Sequence, residues 1–174
     1  MKYFEMIQDN RISYDYKIEN LEWEKLDTDE EEKEIVGIVS FKGKEESVPD
    51  FIAYKKRFFV SAELKKVMAM YSEDLKFNLV MFSNIENKIQ KEYYDVESPL
   101  IEGLSDNSTY HKDHSVNKKI IKHKKVKDSP VFRLKEMETT QFSPKHIFVH
   151  LDIVESAVRR ELWGMIFEEI QVEE

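Results

Sequence analysis

The side chains with the most chemical potential crowd toward the C-terminus. Asp152, Glu155, Arg159 and Arg160 form the densest charged cluster near the expected core. Two carboxylates and two guanidiniums can move a proton or grip an anion. The same four residues also have a structural reading. Asp152 stands three before Glu155, the D-x-x-E spacing of a capping box. Glu155 and Arg159 stand at i and i+4, the favourable order for a helical ion pair. Arg159 and Arg160 would then pin the helix to acidic strand neighbours such as Glu168, and Gly164 would be its C-cap. This reading needs no further assumption and is the simpler one.

The histidines offer less. His146 and His150 flank a strand and point to the same side of it. Either could be a general base, but no G-x-S-x-G or similar motif supplies a nucleophile. His111, Asp113 and His114 lie in an HKDH loop. Two imidazoles and a carboxylate are zinc-ligand types, yet the spacing fits no zinc motif and the chain has no cysteine. An exposed polar loop accounts for them. None of the four glycines forms a phosphate-cradling loop. No catalytic residue, metal or cofactor is expected.

Strands must position these groups. Tyr3 to Ile7 reads as a strand closed by the turn signal Asp9-Asn10. Ile12, Tyr14, Tyr16 and Ile18 alternate as a half-buried strand would, and Leu21, Trp23 and Leu26 continue the apolar pattern. Ile35 to Phe41 is a β-branched strand. A looser connection through Pro49-Asp50 leads to Phe51 to Tyr54, and Arg57-Phe58-Phe59-Val60 then delivers the chain to Ser61, a good N-cap. Leu64, Val67, Met68 and Tyr71 predict a helix over about 62–71. Phe77 to Phe82 and Ile89 to Val96 suggest a meander. Residues 97–118 are loop-like. The basic stretch 117–128 reads as an edge strand, where lysines discourage further pairing. Strands over Val131 to Leu134 and His146 to His150 precede a helix over about 152–162, with Val154, Ala157, Val158 and Leu162 on one face. Met165 to Val172 is a last strand, so the unit could be a short crossover. The fold class expected is α+β: a mainly antiparallel or mixed sheet with two short helices, in a single compact domain over 1–174. The strands of 1–50 could form a subregion, and 97–118 is the stretch that could separate two lobes.

Length and composition fit this. A chain of 174 residues, 41% hydrophobic and 12% aromatic, can bury a sizeable core. No run approaches a membrane helix, and the N-terminus lacks a signal-peptide core, so a cytoplasmic protein without membrane contact is expected. The net charge of −8 is unevenly spread: residues 1–50 carry −8, 111–145 carry +6 and 146–174 carry −5. The basic stretch has no aromatic between His114 and Val131 on which a base could stack, so no nucleic-acid partner is expected. The acidic third is better suited to a basic protein partner. Trp23, Tyr14 and Tyr16 are candidate anchors there.

The second half resembles the immunity proteins of bacterial polymorphic toxin systems, the group typified by a Myxococcus immunity protein. The resemblance runs through Phe58-Phe59-Val60-Ser61 with Leu64, Val67 and Tyr71, through Tyr93-Tyr94, Leu104-Ser105 with Ser108, and Val131-Phe132-Arg133. Its best block is Leu151 to Arg160, LDIVESAVRR, followed by Gly164 and Phe167-Glu168-Glu169. It covers about 55–172 and the short start Met1 to Phe4. The resemblance implies a cytoplasmic α+β domain that binds and neutralises a cognate toxin without catalysis. Residues 20–50 fall outside it, which makes the acidic 22–34 segment the candidate for partner specificity: Trp23, Glu24, Asp29, Glu30, Glu31 and Glu32. Two alternatives are a small hydrolase or nucleotide-modifying enzyme built on Asp152, Glu155 and Arg159, and an assembly subunit, although nothing indicates a homo-oligomer. If the acidic segment faces the toxin, reversing the charges of Glu30, Glu31 and Glu32 together should abolish neutralisation in a growth assay. Retained neutralisation would count against that segment.

Overall fold

The first strand, β1 (Tyr3–Gln8), lies in the middle of a sheet whose other strands come from the second half of the chain. The computed structural model describes residues 1–26 and 34–174. In this first sheet the order is β11 (Ile120–Lys122), β14 (Met165–Glu173), β1, β13 (Ile147–His150), β12 (Val131–Leu134) and β8 (Leu100–Ile101). β1 is antiparallel to both neighbours, with Tyr3 opposite His150 on one side and Ile170 on the other. β13 and β14 are therefore parallel to each other, and α3 (Leu151–Arg159) crosses between them.

The second sheet is also six-stranded, in the order β2 (Tyr16–Leu26), β3 (Glu34–Gly43), β6 (Lys76–Asn84), β7 (Ile89–Glu97), β5 (Arg57–Ser61) and β4 (Phe51–Tyr54). Only β3 and β6 are parallel. The sheet curls into a half-barrel filled by Val39, Phe41, Ile52, Phe59, Val80, Phe82 and Tyr93. Its edges approach one another, with Tyr16 and Ile18 of β2 lining one cleft with Ile52 and Tyr54 of β4. A small hairpin, β9 (Thr109–Tyr110) with β10 (Val116–Lys118), stands apart, and α2 (His123–Val126) is a single turn. The result is an α+β fold dominated by sheet, in one compact domain.

The main core lies between the sheets. Met6, Ile147 and Val149 of the first sheet meet Phe58, Val60 and Val96 of the second. The helix α1 (Ala62–Tyr71) adds Leu64, Val67 and Met68, and α3 adds Ile153 and Ala157. The other face of the first sheet is also buried, with Tyr3, Phe132, Phe148 and Ile170 packed beneath Ile121 and Val126. A strand buried on both faces has no polar side to alternate with. That is why Tyr3-Phe4-Glu5-Met6 departs from strict alternation.

The structure agrees with the expected α1, whose N-cap Ser61 accepts from the Leu64 amide at 3.2 Å, and with the β6–β7 meander. It corrects several other expectations. Ile12 and Tyr14 precede β2 in a turn, where the Tyr14 hydroxyl donates to the Asp9 carbonyl at 2.7 Å. The basic stretch is an edge strand only as far as Lys122, after which it turns through α2.

At the C-terminal helix the expected cap fails. α3 covers 151–159 instead of 152–162, and its N-cap is His150, whose Nδ1 accepts from the Asp152 amide at 3.3 Å. Asp152 is thus already inside the helix. The buried face is Ile153, Ser156 and Ala157, while Val158 is 62% exposed. The helix ends in a Schellman turn. Leu162 donates to the Ala157 carbonyl and Glu161 to that of Val158, with Glu161 left-handed at φ +56°. Gly164 lies beyond this turn. Its φ is +90°, and a Cβ there would sit 2.1 Å from Cβ of Pro49, so glycine allows the start of β14 to approach the second sheet.

Asp50 joins the two sheets. Its carboxylate accepts from the Ser61 hydroxyl at 2.5 Å and from the Trp163 amide at 2.9 Å, and its own amide donates to the Trp163 carbonyl at 3.0 Å. One side chain therefore fixes the N-cap of α1 and the turn after α3.

Glu5, in the centre of the first sheet, is 4% exposed. His146 and Lys119 contact its two carboxylate oxygens. Burial alone would raise its pKa, but these two partners outweigh burial and hold it below the ordinary carboxylate range. Folding therefore depresses this pKa. The resulting stabilisation is full above the ordinary value of 4.5 and is lost as pH falls through the lowered value. Glu5→Gln should cost about 2 kcal/mol at neutral pH. Denaturant melts of wild type and variant should converge as pH is taken well below 4.5.

Candidate functional site

The sequence reading placed partner recognition on the acidic 22–34 segment. Asp29, Glu30, Glu31 and Glu32 lie outside the described residues. They belong to the connection between β2 and β3, whose pairing runs to Leu26 opposite Glu34.

Trp23 and Glu24 are on β2, and strand alternation sends them to opposite faces. Trp23 points into the half-barrel. Its ring occupies the space over Gly37, where an added Cβ would come within 3.0 Å of it. The Arg57 guanidinium carbon lies 4.7 Å from the centre of the ring, and Arg57 in turn pairs with Asp95 at 2.5 Å. Trp23 is therefore a half-buried plug at the open side of the curl, and not an exposed anchor. Tyr14 and Tyr16 pack edge to face, and Tyr14 also leans on Trp163. Both are held in the junction between sheets.

Glu22 and Glu24 point outward, onto the convex face of the second sheet. Register sets what lies beside them. Glu22 is opposite Ile38, Ile38 is beside Met81, and Met81 is opposite Glu92. One row across four strands thus reads acid, apolar, apolar, acid. In the next row Glu24 is opposite Val36, and Leu79 is opposite Tyr94. Ile38, Leu79 and Met81 are all half-exposed. Both end glutamates are held by neutral donors. Asn20 donates to Glu22 at 2.6 Å, and the Tyr94 hydroxyl donates to Glu92 at 3.1 Å. Burial and this glutamate together push the Tyr94 phenol up. Among the described residues no cation lies within salt-bridge distance of Glu22, Glu24 or Glu92. Farther along the face Lys42 is neutralised by Glu19 at 3.2 Å. The arrangement is a small preorganised surface with an apolar centre and unpaired negative ends.

The sequence reading missed Glu22, Ile38, Met81 and Glu92 as a group. Their hydrophobicity was visible, but their adjacency depends on register across strands separated by up to 70 residues. The available signal was that Val36 and Ile38 alternate with the inward set Gly37, Val39 and Phe41.

The C-terminal cluster does not converge on a site. Asp152, Glu155, Arg159 and Arg160 are exposed on α3. Among the described residues no ion pair joins Glu155 to Arg159, and none joins either arginine to Glu168. Arg160 instead bonds the Ser156 carbonyl and hydroxyl of its own helix. Asp152 lies 3.1 Å from His150. None of the four lines the cavities beside β5 and β7, at the β6–β7 turn, between β2 and β4 or at the β9–β10 turn.

His146 is occupied by Glu5, and His150 by the helix start and the edge of the Tyr3 ring. His111, Asp113 and His114 form the β9–β10 turn. There Asp113 accepts from the Ser115 amide and hydroxyl, at 3.1 and 2.6 Å, which lowers its pKa. No group of three metal-ligating side chains occurs among the described residues. No helix among them is long and apolar enough to cross a membrane.

No protein-family model and no curated protein matches this sequence.

The two residues of the β2 segment should respond differently to truncation. Trp23→Ala should destabilise the fold by about 3 kcal/mol, because it empties a packed stack. Glu24→Ala should change stability by less than about 0.5 kcal/mol. Chemical denaturation of the two variants checks this.

Proposed function

We propose that this chain is an immunity protein that neutralises a cognate bacterial toxin by stoichiometric binding. The toxin would dock on the convex face of the second sheet. The observation that carries the reading is the row Glu22–Ile38–Met81–Glu92, an apolar centre between two glutamates that no cation pairs among the described residues. Such a surface suits a basic partner with an apolar contact at its middle. Negative ends steer the approach, and the desolvated centre supplies the lasting attraction. Because Asn20 and Tyr94 already hold the carboxylates, little side-chain freedom is lost on docking. The resemblance of residues 55–172 to polymorphic toxin immunity proteins supports the same reading. So does the acidic composition of residues 27–34, which follow β2 in the sequence. Inhibition would come from covering the toxin's active site or a neighbouring exosite, and it requires no reacting group on this chain.

Growth rescue tests the proposal. The C-terminal domain of a candidate toxin taken from the neighbourhood of this gene is expressed with and without this chain. Rescue and a 1:1 complex are expected, and their absence would sink the reading. Within a rescuing pair, Met81→Glu should weaken binding by about 2 kcal/mol or more, because it places charge in the desolvated centre. Glu155→Lys on α3 should leave binding unchanged.

A further inference from the structure

A second feature of the surface has the opposite charge. Lys55, Lys56, Arg57, Arg133 and Lys145 line one cavity of about 460 Å³, on a protein whose net charge is −8. The five come from the β4–β5 turn, from the start of β5, from β12 and from the loop before β13. Only the fold brings them together. The walls also hold Asp95 and Glu97, but these do not cancel the excess. Asp95 is taken by Arg57 at 2.5 Å, and Glu97, which accepts from the neutral Asn78 at 3.0 Å and keeps its charge, faces three lysines. Burial pushes the Asp95 carboxyl up, against the pull of Arg57 and the charge of Lys145. Arg133 is forked onto Glu138 at 3.0 Å. Among the described residues Lys55, Lys56 and Lys145 have no carboxylate partner. Lys56 donates only to the Gln141 carbonyl.

The cavity also holds an unsatisfied donor. Ser98 is 7% exposed, and its hydroxyl has no hydrogen-bond partner among the described residues. Buried hydroxyls are almost always paired, because losing water without a replacement bond is costly. Strain marks the same spot. Lys55 and Lys56 are the two turn residues between Tyr54 and Arg57, and both are left-handed, at φ +45° and +62°. Such turns favour Asn and Gly. Two lysines there accept a strained backbone and place their charges at the cavity mouth.

We propose that this cavity binds the oligophosphate group of a small molecule. Three ammonium groups with no carboxylate partner among the described residues match a group carrying two or three negative charges. The Ser98 hydroxyl is a donor for one of its many acceptor oxygens. A volume of about 460 Å³ is the size of a small-ligand site and too small for a folded partner. The site is separate from the glutamate-bordered face, so its failure would leave the binding of a toxin untouched.

Calorimetric titration of the full chain with pyrophosphate and with ADP, at about 0.15 M salt so that diffuse attraction is screened, tests the proposal. Both should bind. Tighter binding of ADP would identify a nucleotide as the source of the group, and tighter binding of pyrophosphate would identify the free anion. Lys55→Gln with Lys145→Gln should weaken binding at least about tenfold, and Ser98→Ala should weaken it several-fold. Thermal melts of these variants should stay close to wild type. No binding of either compound would overturn the proposal. So would citrate binding as well as pyrophosphate, unchanged affinity in the double variant, or binding of a single-stranded RNA but of neither small anion.

Discussion

The slot between β13 and β14 is the constraint on which the rest of the structure depends. Those strands are parallel and joined by a helix of only nine residues, and β1 must lie between them. Until it does, the slot leaves two rows of backbone donors and acceptors without partners, and such groups are costly to bury. Filling it requires residues 3–8 to meet residues 147–170, nearly the full length of the chain. Once β1 is seated, its side chains complete two cores at once: Met6 joins the one between the sheets and Tyr3 the one beneath α2. Glu5 rides in with them and takes its charge partners from Lys119 and His146. Loop closure over this distance is slow to form but strongly cooperative.

The second sheet is held to this slot through Asp50 and Gly164. Asp50 binds both the cap of α1 and the turn after α3. Gly164 lets that turn approach Pro49 without a clash. The same junction determines which side of the half-barrel is free. The convex face is covered by α1 and the first sheet only at its Val60 and Val96 end, and its Ile38 and Met81 end is left half-exposed. Trp23, which composition alone recommends as a binding anchor, is consumed in closing the curl against Gly37 and Arg57. The surface left for a partner is made of the glutamates on either side of it in sequence.

Charge is segregated in space differently from the way it is segregated along the chain. Residues 111–145 carry the basic excess, yet that stretch is split among a hairpin, an edge strand and α2. The concentrated cationic pocket draws instead on residues 55–57 and adds only Arg133 and Lys145 from the basic region. The acidic face draws Glu92 from a segment that is nearly neutral overall. Regional net charge therefore pointed to Glu22 and Glu24 but not to Glu92, and it did not locate the cationic cavity.

What the sequence by itself determined is local. Ser61 with Leu64, Val67 and Met68 specified α1, because a cap and a helical stripe are short-range facts. The β-branched runs specified β3, β12 and β13. The acidic character of β2 was legible for the same reason. The start of α3 was misread even locally, because His150 could compete with Asp152 as the cap and only packing of Ile153 and Ala157 set the frame. The glycine signal at 164 misled too, since Glu161 tolerates the left-handed turn and Gly164 is needed for a contact with distant Pro49. Tertiary structure alone decided that Trp23 turns inward while Glu22 meets Ile38, Met81 and Glu92, and that three remote segments share one cationic cavity. The physical reason is that inward and outward, paired and unpaired, are properties of register and curl. Those arise from contacts between residues far apart in the chain, which no local pattern encodes.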